Sequence, residues 1–308
     1  MTESNVPHQE NLRYFGDGSG EAQMIYNFAL PPLVLHAFHT GDCTRLADWA
    51  AELEPASETA TYFNFLDSHD GVGLLPVRDI LNADEIALLV ERTLAHGGVI
   101  SHRDLGEGSE SPYELNITWF SALNRPDAGE SMTLQVDRFI ASRAIALVLM
   151  GVPGIYLPSL FGSTNDQEAV FTSGEGRSIN RRSIEEESLL RALSDPQSTA
   201  YLIADGYGGL LKTRIQTPAF HPNAAQRILR GEPAVLAVWR SSPGKAQTVL
   251  ALTNVSAGRK PVSYPLEELG GPASIWHDLL TGRRFEAKGD ALSLELKPYQ
   301  VVWLTPVG

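Results

Sequence analysis

Cysteine is almost missing from this chain of 308 residues, because Cys43 is the only one. A single cysteine excludes an internal disulfide framework and a cysteine-rich zinc site, and it fits a reducing compartment, so we expect a cytoplasmic protein. His8, His36 and His39 lack the spacing of a metal site, so no metal is expected. The sequence contains neither GxGxxG nor a P-loop, and no cofactor is expected.

Basic residues are in deficit as well. The chain has 24 Lys and Arg against 37 Asp and Glu, a formal net charge of −13. Such a chain is repelled by phosphate backbones and by anionic lipid, so neither a nucleic-acid partner nor a membrane partner is expected. The first residues do not combine a basic segment with an apolar core, so no signal peptide is predicted.

The membrane-span candidate is the run at 144–165, which carries no charge over 22 residues. Gly151, Pro153, Gly154 and Pro158 interrupt it. We interpret the run as the end of a buried helix, a tight turn and a short buried strand.

Short apolar runs alternate with helical patterns over residues 1–220. Buried strands are predicted at Gln23–Phe28, Thr61–Leu66 and Gly154–Leu157. This alternation favours an α/β fold with a parallel sheet. Three strands are too few to close a (β/α)8 barrel on their own.

Start and stop signals place the helices. Asn82 and Glu85 have the spacing of a capping box, as do Ser183 and Glu186. Further helices are predicted at Leu33–Ala51, Val136–Met150 and Ser198–Ile215, the last interrupted at Gly206, Gly208 and Gly209, and two further strands at Val99–Ser101 and Glu114–Thr118.

The pattern changes near Pro222. From Gln226 onward, short alternating runs are separated by turn residues, which predicts an all-β sandwich of about seven strands. We therefore expect two domains, 1–220 and 221–308. The second should bury Trp239, Trp276 and Trp303, because large aromatic side chains anchor small cores.

Candidate functional side chains follow the predicted strand Thr61–Leu66, in the sequence FLDSHDG (Phe65–Gly71). In parallel α/β folds, ligands bind at the carboxyl ends of strands. His69 can donate to a sugar hydroxyl, while Asp70 can accept from two hydroxyls and stabilise a cationic transition state. Alternatively, Asp67 caps a turn and His69 satisfies it.

Six blocks in fixed order carry a resemblance to a known family. Together they resemble the sucrose phosphorylase group of the α-amylase superfamily, which includes sucrose, sucrose 6-phosphate and glucosylglycerate phosphorylases. The blocks are TESNVPH (2–8), YNFALPPLVLHA (26–37), FLDSHDGVGL (65–74), PYELN (112–116), GVPGIYLPSLFGSTND (151–166) and GRSINRR (176–182). The resemblance implies the C-terminal half only: strands 5–8, approximately, of a (β/α)8 (TIM-type) barrel, followed by a small all-β domain.

The resemblance also implies catalytic roles. Asp70 matches the transition-state stabiliser, and Glu3 matches the general acid/base at the end of the fifth barrel strand. The family's nucleophile is an aspartate upstream of the acid/base, and residues 1 and 2 do not supply it. Because retaining glycoside chemistry needs two carboxylates, we expect this chain to be inactive alone and to need an N-terminal half-barrel as partner.

Substrate contacts are implied in the same way. His69 and Arg177 match residues that bind glucose, while Tyr113 and Glu114 match a mobile loop over the acceptor. The alternatives are ordinary ones: Arg177 pairs with a surface carboxylate, and Tyr113 and Glu114 are plain strand residues. Arg181 and Arg182 suit either phosphate binding or a helix-start charge role.

The implied reaction is reversible α-glucosyl transfer from an α-glucoside to inorganic phosphate, which gives α-glucose 1-phosphate. One alternative is a hydrolase of the same superfamily, in which water replaces phosphate. Another is a non-catalytic product, either a truncated chain or a half-barrel interaction protein.

Overall fold

The computed structural model describes residues 1–18, 20–106 and 108–307. Its α-helices are α1 His8–Leu12, α2 Leu30–Thr40, α3 Thr44–Ala51, α4 Ala83–Ala95, α5 Trp119–Leu123, α6 Met132–Val148, α7 Gln167–Ser173, α8 Glu186–Leu193 and α9 Thr199–Ile215. Its strands are β1 Met24–Tyr26, β2 Thr61–Asn64, β3 Val72–Gly73, β4 Val99–Gly106, β5 Ser109–Asn116, β6 Val152–Pro153, β7 Ala225–Leu229, β8 Val235–Ser241, β9 Thr248–Asn254, β10 Lys260–Pro265, β11 Ile275–Asp278, β12 Arg284–Glu286, β13 Ala291–Leu296 and β14 Val301–Val307.

A small parallel sheet organises the first part of the chain. Strands β1, β2 and β6 pair in that order, and Thr2 adds a parallel bridge to Ile25 on the outer side of β1. Helices follow each strand, and the apolar faces of α2 and α6 are almost fully buried in one large cluster with the sheet. The predicted parallel α/β arrangement is therefore present, with its strand ends at one edge of the sheet.

A second, antiparallel sheet follows the FLDSHDG segment in the chain. Strands β4 and β5 form a hairpin, and the short β3, which follows the FLDSHDG segment, pairs with the end of β5. The hairpin is longer than the two short strands predicted there. Its pairing with β3 brings Glu114 of β5 beside Gly73 and so beside the segment that carries Asp70.

The C-terminal region is antiparallel. Its described strands form a six-stranded sheet, ordered β12-β11-β14-β9-β8-β7, and the two-stranded pair β10-β13. Alternate residues of β8 face opposite ways: Trp239 packs with Trp276 between the two sheets, whereas Val238 faces the helices, as Trp303 of β14 does. Trp239, Trp276 and Trp303 are buried, and the predicted β content is confirmed.

Arg240 connects the two regions. It is fully buried, and its guanidinium donates to the carbonyl oxygens of Val148, at 2.5 Å, and of His221, at 2.7 Å. Burial lowers the pKa of Arg240 to about 9. The end of α6 is thereby fixed to the β8 strand.

Several sequence predictions of local structure were wrong. The predicted helix Leu33–Ala51 is two helices, because Gly41 takes a left-handed φ of 68° and ends α2. Helix α9 is continuous through its three glycines: Gly206 lies so close to Ile140 of α6 that a Cβ would sit 3.2 Å away. No side chain caps α8, whose N-cap is Glu185, so the Ser183–Glu186 capping box does not form.

The predicted strand Gly154–Leu157 was also wrong. The strand is Val152–Pro153, and Pro158 lies in the 3-10 turn Leu157–Phe161 that follows. The uncharged run at 144–165 thus divides between the end of α6, this strand and the turn. Among the described residues, no helix combines the length and the apolar character needed to cross a bilayer.

The capping box of α4 is confirmed. Asn82 Oδ1 accepts from the Glu85 amide at 2.9 Å, and the Glu85 carboxylate accepts from the Asn82 amide at 2.7 Å. The two bonds satisfy two backbone donors at the helix start.

We predict that His8 makes the folded chain acid-sensitive. Its ring is buried against Trp49, with centroids 5.6 Å apart, and burial lowers the pKa of His8 to about 4. Between pH 6.5 and 4 the unfolded chain then binds more protons than the folded one, so stability falls as the pH falls. His8 should account for up to about 3 kcal/mol of that loss.

Urea unfolding at pH 7 and at pH 4.5 checks this. His8→Phe keeps an aromatic ring but cannot titrate, so it should flatten the pH dependence. The exposed His102, replaced in the same way, is the control. If the free energy of unfolding changes equally between pH 7 and pH 4.5 in the wild-type and His8→Phe chains, the assignment is contradicted.

Candidate active site

The FLDSHDG segment begins with a buried anchor. Asp67 follows β2, and Arg143 of α6 donates to both of its carboxylate oxygens, at 2.7 and 2.9 Å. Ser159 also donates to Asp67. Both charged side chains are buried, so this pair fixes where the segment leaves the sheet. The pair agrees with a structural role for Asp67. The residue that binds the Asp67 carboxylate is the buried Arg143, however, and not His69.

Aromatic rings surround that anchor. The Arg143 guanidinium lies 4.6 Å from the ring centroid of Phe139, 5.5 Å from Trp119 and 5.8 Å from Tyr207. Cation–π contacts of this kind are strengthened when the cation is desolvated. The sequence analysis did not predict Arg143. The only signal for it is that it is a single charged residue in an otherwise uncharged stretch of helix.

Asp70 is the centre of the exposed part of the segment. Three groups converge on its Oδ1 atom: Nη1 of Arg177 at 3.0 Å, Nη2 of Arg181 at 3.1 Å and Nε2 of His69 at 3.6 Å. The Asp70 side chain keeps 28% of its surface exposed. Arg177 and Asp70 therefore lie on the same side of the fold, at the carboxyl end of β2.

The Arg177 guanidinium is itself bound by a second carboxylate, that of Glu114. Glu114 of β5 accepts from Nε at 2.9 Å and from Nη2 at 3.0 Å, and Glu114 is buried. The hydrogen bond to Glu114 raises the pKa of the Arg177 guanidinium, with further contributions from the charges of Glu114 and Asp70 and an opposing one from burial. Glu114 is thus an orienting partner of Arg177 rather than a solvent-exposed loop residue.

The segment 176–182 also clamps the backbone beside Asp70. Asn180 Nδ2 donates to the carbonyl oxygen of Asp70 at 2.7 Å and to that of Ser68 at 3.3 Å. Arg181 Nε donates to the carbonyl of His69 at 2.8 Å. Asn180 was not singled out in the sequence, and Arg181 was left between two roles. Arg182 pairs with Asp166, which caps α7.

In the described chain, no hydrogen bond or ion pair joins the side chains of Glu3 and Tyr113 to this cluster. Glu3 is exposed and follows Thr2, so it stands next to the end of β1. Burial and the charge of Glu3 together raise the pKa of Tyr26, the last residue of β1. Tyr113 lines a groove of about 820 Å³ that also contacts Asn5. Within the described ranges, no hydrogen bond or ion pair joins Glu3 to Asp70.

The arrangement suits a polyhydroxylated ligand. It combines an imidazole, two guanidinium groups and an accessible carboxylate at one strand end, and these groups offer donors and an acceptor to neighbouring hydroxyls. Over residues 1–18, 20–106 and 108–307, no three or more His, Cys, Asp or Glu side chains are grouped so as to hold a metal ion.

Comparison with known proteins shows which proteins this chain is similar to. The family described as "Maltogenic Amylase, C-terminal domain" matches residues 227–303. The chain is 43% identical over 304 residues to a glucosylglycerate phosphorylase of Allomeiothermus silvanus, covering 99% of this chain and 51% of that enzyme. It is 30% identical over 256 residues to a sucrose phosphorylase of Agrobacterium vitis, covering 78% of this chain and 46% of that enzyme.

The chain is homologous to the sucrose phosphorylase group of the α-amylase superfamily. The predicted resemblance is confirmed, and the chain spans about half the length of the curated relatives it matches. Its fold is similar to that of a sucrose 6F-phosphate phosphorylase from Thermoanaerobacter thermosaccharolyticum, with a TM-score of 0.67 at 20% identity over 82% of this chain and 47% of that one.

We predict that Arg143→Met destabilises the chain by about 3–5 kcal/mol, because it leaves the Asp67 carboxylate buried and unpaired. Urea unfolding measures the change. The double variant Asp67→Leu with Arg143→Met should recover most of the loss, since both charges are then removed.

A surface pair supplies the control. Arg230→Met breaks the exposed ion pair with Asp48 and should cost less than about 1 kcal/mol. A loss of that small size for Arg143→Met would show that the Asp67 pair does not anchor the segment.

Proposed function

We propose that this chain forms the glucose-binding and acid/base side of a retaining α-glucoside phosphorylase site. The observation that carries the proposal is the placement of Asp70 at the carboxyl end of β2, with Arg177 and Arg181 on one carboxylate oxygen. Homology over 99% of the chain to a glucosylglycerate phosphorylase supports it.

The proposal includes a partial barrel. Thr2, β1, β2 and β6 are parallel neighbours in chain order, as four successive strands of a (β/α)8 barrel would be, and they would correspond to strands 5–8. The barrel part would cover residues 1–220 and the β-sandwich residues 221–308; Gly308 is outside the described residues. The packing of β8 between two cores supports a covering role for the sandwich.

In this site Glu3 would act as general acid and protonate the glycosidic oxygen as the bond to the anomeric carbon breaks. Asp70 would stabilise the positive charge that develops on the sugar ring. The exposure of Glu3 and its position at the end of a parallel strand support the first role. The partial exposure of the Asp70 side chain supports the second.

Substrate contacts would come from both sides of Asp70. His69 and Arg177 would bind glucose hydroxyls, and Tyr113 and Glu114 would border the acceptor. Glu114 would act by orienting Arg177, because its carboxylate is already bound to that guanidinium. The name of the 43% identical relative leads us to propose glucosylglycerate as the α-glucoside and glycerate as its leaving group.

A nucleophile is needed on the opposite face of the sugar ring. Retaining enzymes place two carboxyl groups about 5–5.5 Å apart. Near the strand ends Asp67 is bound by Arg143, and Glu114 by Arg177. Asp70 is bound by two arginines. We propose that the nucleophile comes from further polypeptide that pairs with the open edges at Thr2 and β6.

The two steps of the reaction then follow. The nucleophile would displace the acceptor to form a β-glucosyl ester, while Glu3 gives its proton to the leaving oxygen. Inorganic phosphate would then attack the same carbon from the opposite side, give a proton back to Glu3 and displace the carboxylate, and α-glucose 1-phosphate would be released.

We predict that the 308-residue chain alone does not release α-glucose 1-phosphate from glucosylglycerate and phosphate. General acid help contributes about 10²–10⁴-fold, which is far below the total acceleration of an enzyme. Co-expression with the complementary half of a glucosylglycerate phosphorylase should restore release. In the restored enzyme, Asp70→Asn should lower kcat by about 10²–10³-fold.

Glu286→Gln, at an exposed carboxylate of β12 in the C-terminal sheet, is the control and should leave kcat within about twofold. Release by the isolated chain that Asp70→Asn abolishes would mean that another carboxylate is the nucleophile. Release of free glucose instead of glucose 1-phosphate would mean that the restored enzyme is a hydrolase and not a phosphorylase.

A further inference from the structure

We propose that Arg181 is a positioning residue for Asp70: it fixes Oδ1, so that Oδ2 is presented to a sugar hydroxyl. The inference deepens the proposed function and rests on the role given there to Asp70. The sequence left Arg181 between phosphate binding and a helix-start charge role, and the relatives' names assign it no task.

The carboxylate of Asp70 is bound asymmetrically. Arg177, Arg181 and His69 all reach Oδ1, at 3.0, 3.1 and 3.6 Å. Within the described part of the chain, the hydrogen bond to this carboxylate goes to Oδ1 and none goes to Oδ2. One oxygen is therefore committed to the protein, and the other keeps its lone pairs for a ligand.

One arginine alone would leave the carboxylate free to turn. Rotation about the last side-chain bond of aspartate is soft, with broad energy wells. Arg177 has only Nη1 for Asp70, because Glu114 takes its Nε and Nη2. Arg181 adds a hydrogen bond to Oδ1 beside the ion pair with Arg177, so the two arginines together restrict that rotation.

Arg181 also joins the side chain of Asp70 to its backbone. Its Nε donates to the carbonyl of His69 at 2.8 Å while Nη2 donates to Asp70 Oδ1 at 3.1 Å. The rigid fork of a guanidinium makes both bonds at once, which a lysine ammonium on its flexible stem does poorly. Asn180 adds a bond to the carbonyl of Asp70 at 2.7 Å.

Hydrogen exchange of the 308-residue chain tests the positioning without any activity. Arg181→Gln should speed amide exchange of residues 68–71 by about fivefold to tenfold and leave 61–64 unchanged, because only the clamp is lost. In Arg181→Lys, the exchange rate of these amides should lie between those of the wild type and of Arg181→Gln. Arg182→Gln, which breaks only the pair with Asp166, should match the wild type over 68–71. Unchanged exchange at 68–71 in Arg181→Gln, or an equal rise at 61–64, overturns the proposal.

A double-mutant cycle tests whether Arg181 acts through Asp70, with glucose as the probe and NMR titration as the measurement. Arg181→Gln should weaken glucose binding about tenfold in the wild-type chain and less than about twofold in Asp70→Asn. Equal losses in both backgrounds would mean that Arg181 contacts the sugar directly, which overturns positioning. If the wild-type chain binds no glucose, the proposed function fails, and hydrogen exchange still decides the role of Arg181.

Discussion

Arg177 is the link on which the candidate site depends. Its guanidinium bridges a buried carboxylate, Glu114, and an accessible one, Asp70. Glu114 belongs to the antiparallel hairpin, Asp70 to the segment after β2, and Arg177 to the segment before α8. One side chain thus connects three parts of the chain that are far apart in sequence.

Burial separates the tasks of the carboxylates near β2. Asp67, with Arg143, is buried and makes the segment rigid at its base. Asp70, three residues later, is partly exposed, and in the described chain one of its carboxylate oxygens accepts no hydrogen bond. Two aspartates of one short segment therefore have different environments, and only the second can meet a ligand.

Much of this could be predicted from the sequence because the signals are local. The capping box at Asn82 and the alternation in β8 depend on neighbours a few residues away. The continuity of α9 could not be predicted in this way, because Gly206 packs closely against Ile140, which is distant in sequence. The same holds for Arg143 and Asn180, whose partners lie 76 and 110 residues away. Short motifs identified Asp70 and Arg177, whereas their supporting contacts needed the fold.

The central claim is that the surface around Asp70 binds glucose. The most direct measurement is chemical-shift mapping of the isotope-labelled chain during titration with glucose. The account predicts that the shifted amides cluster in 67–71, 113–116 and 176–182, and that Asp70→Asn weakens these shifts. Shifts confined to the groove between α4 and the hairpin, around Leu94 and Pro112, or no shifts at all, would contradict it.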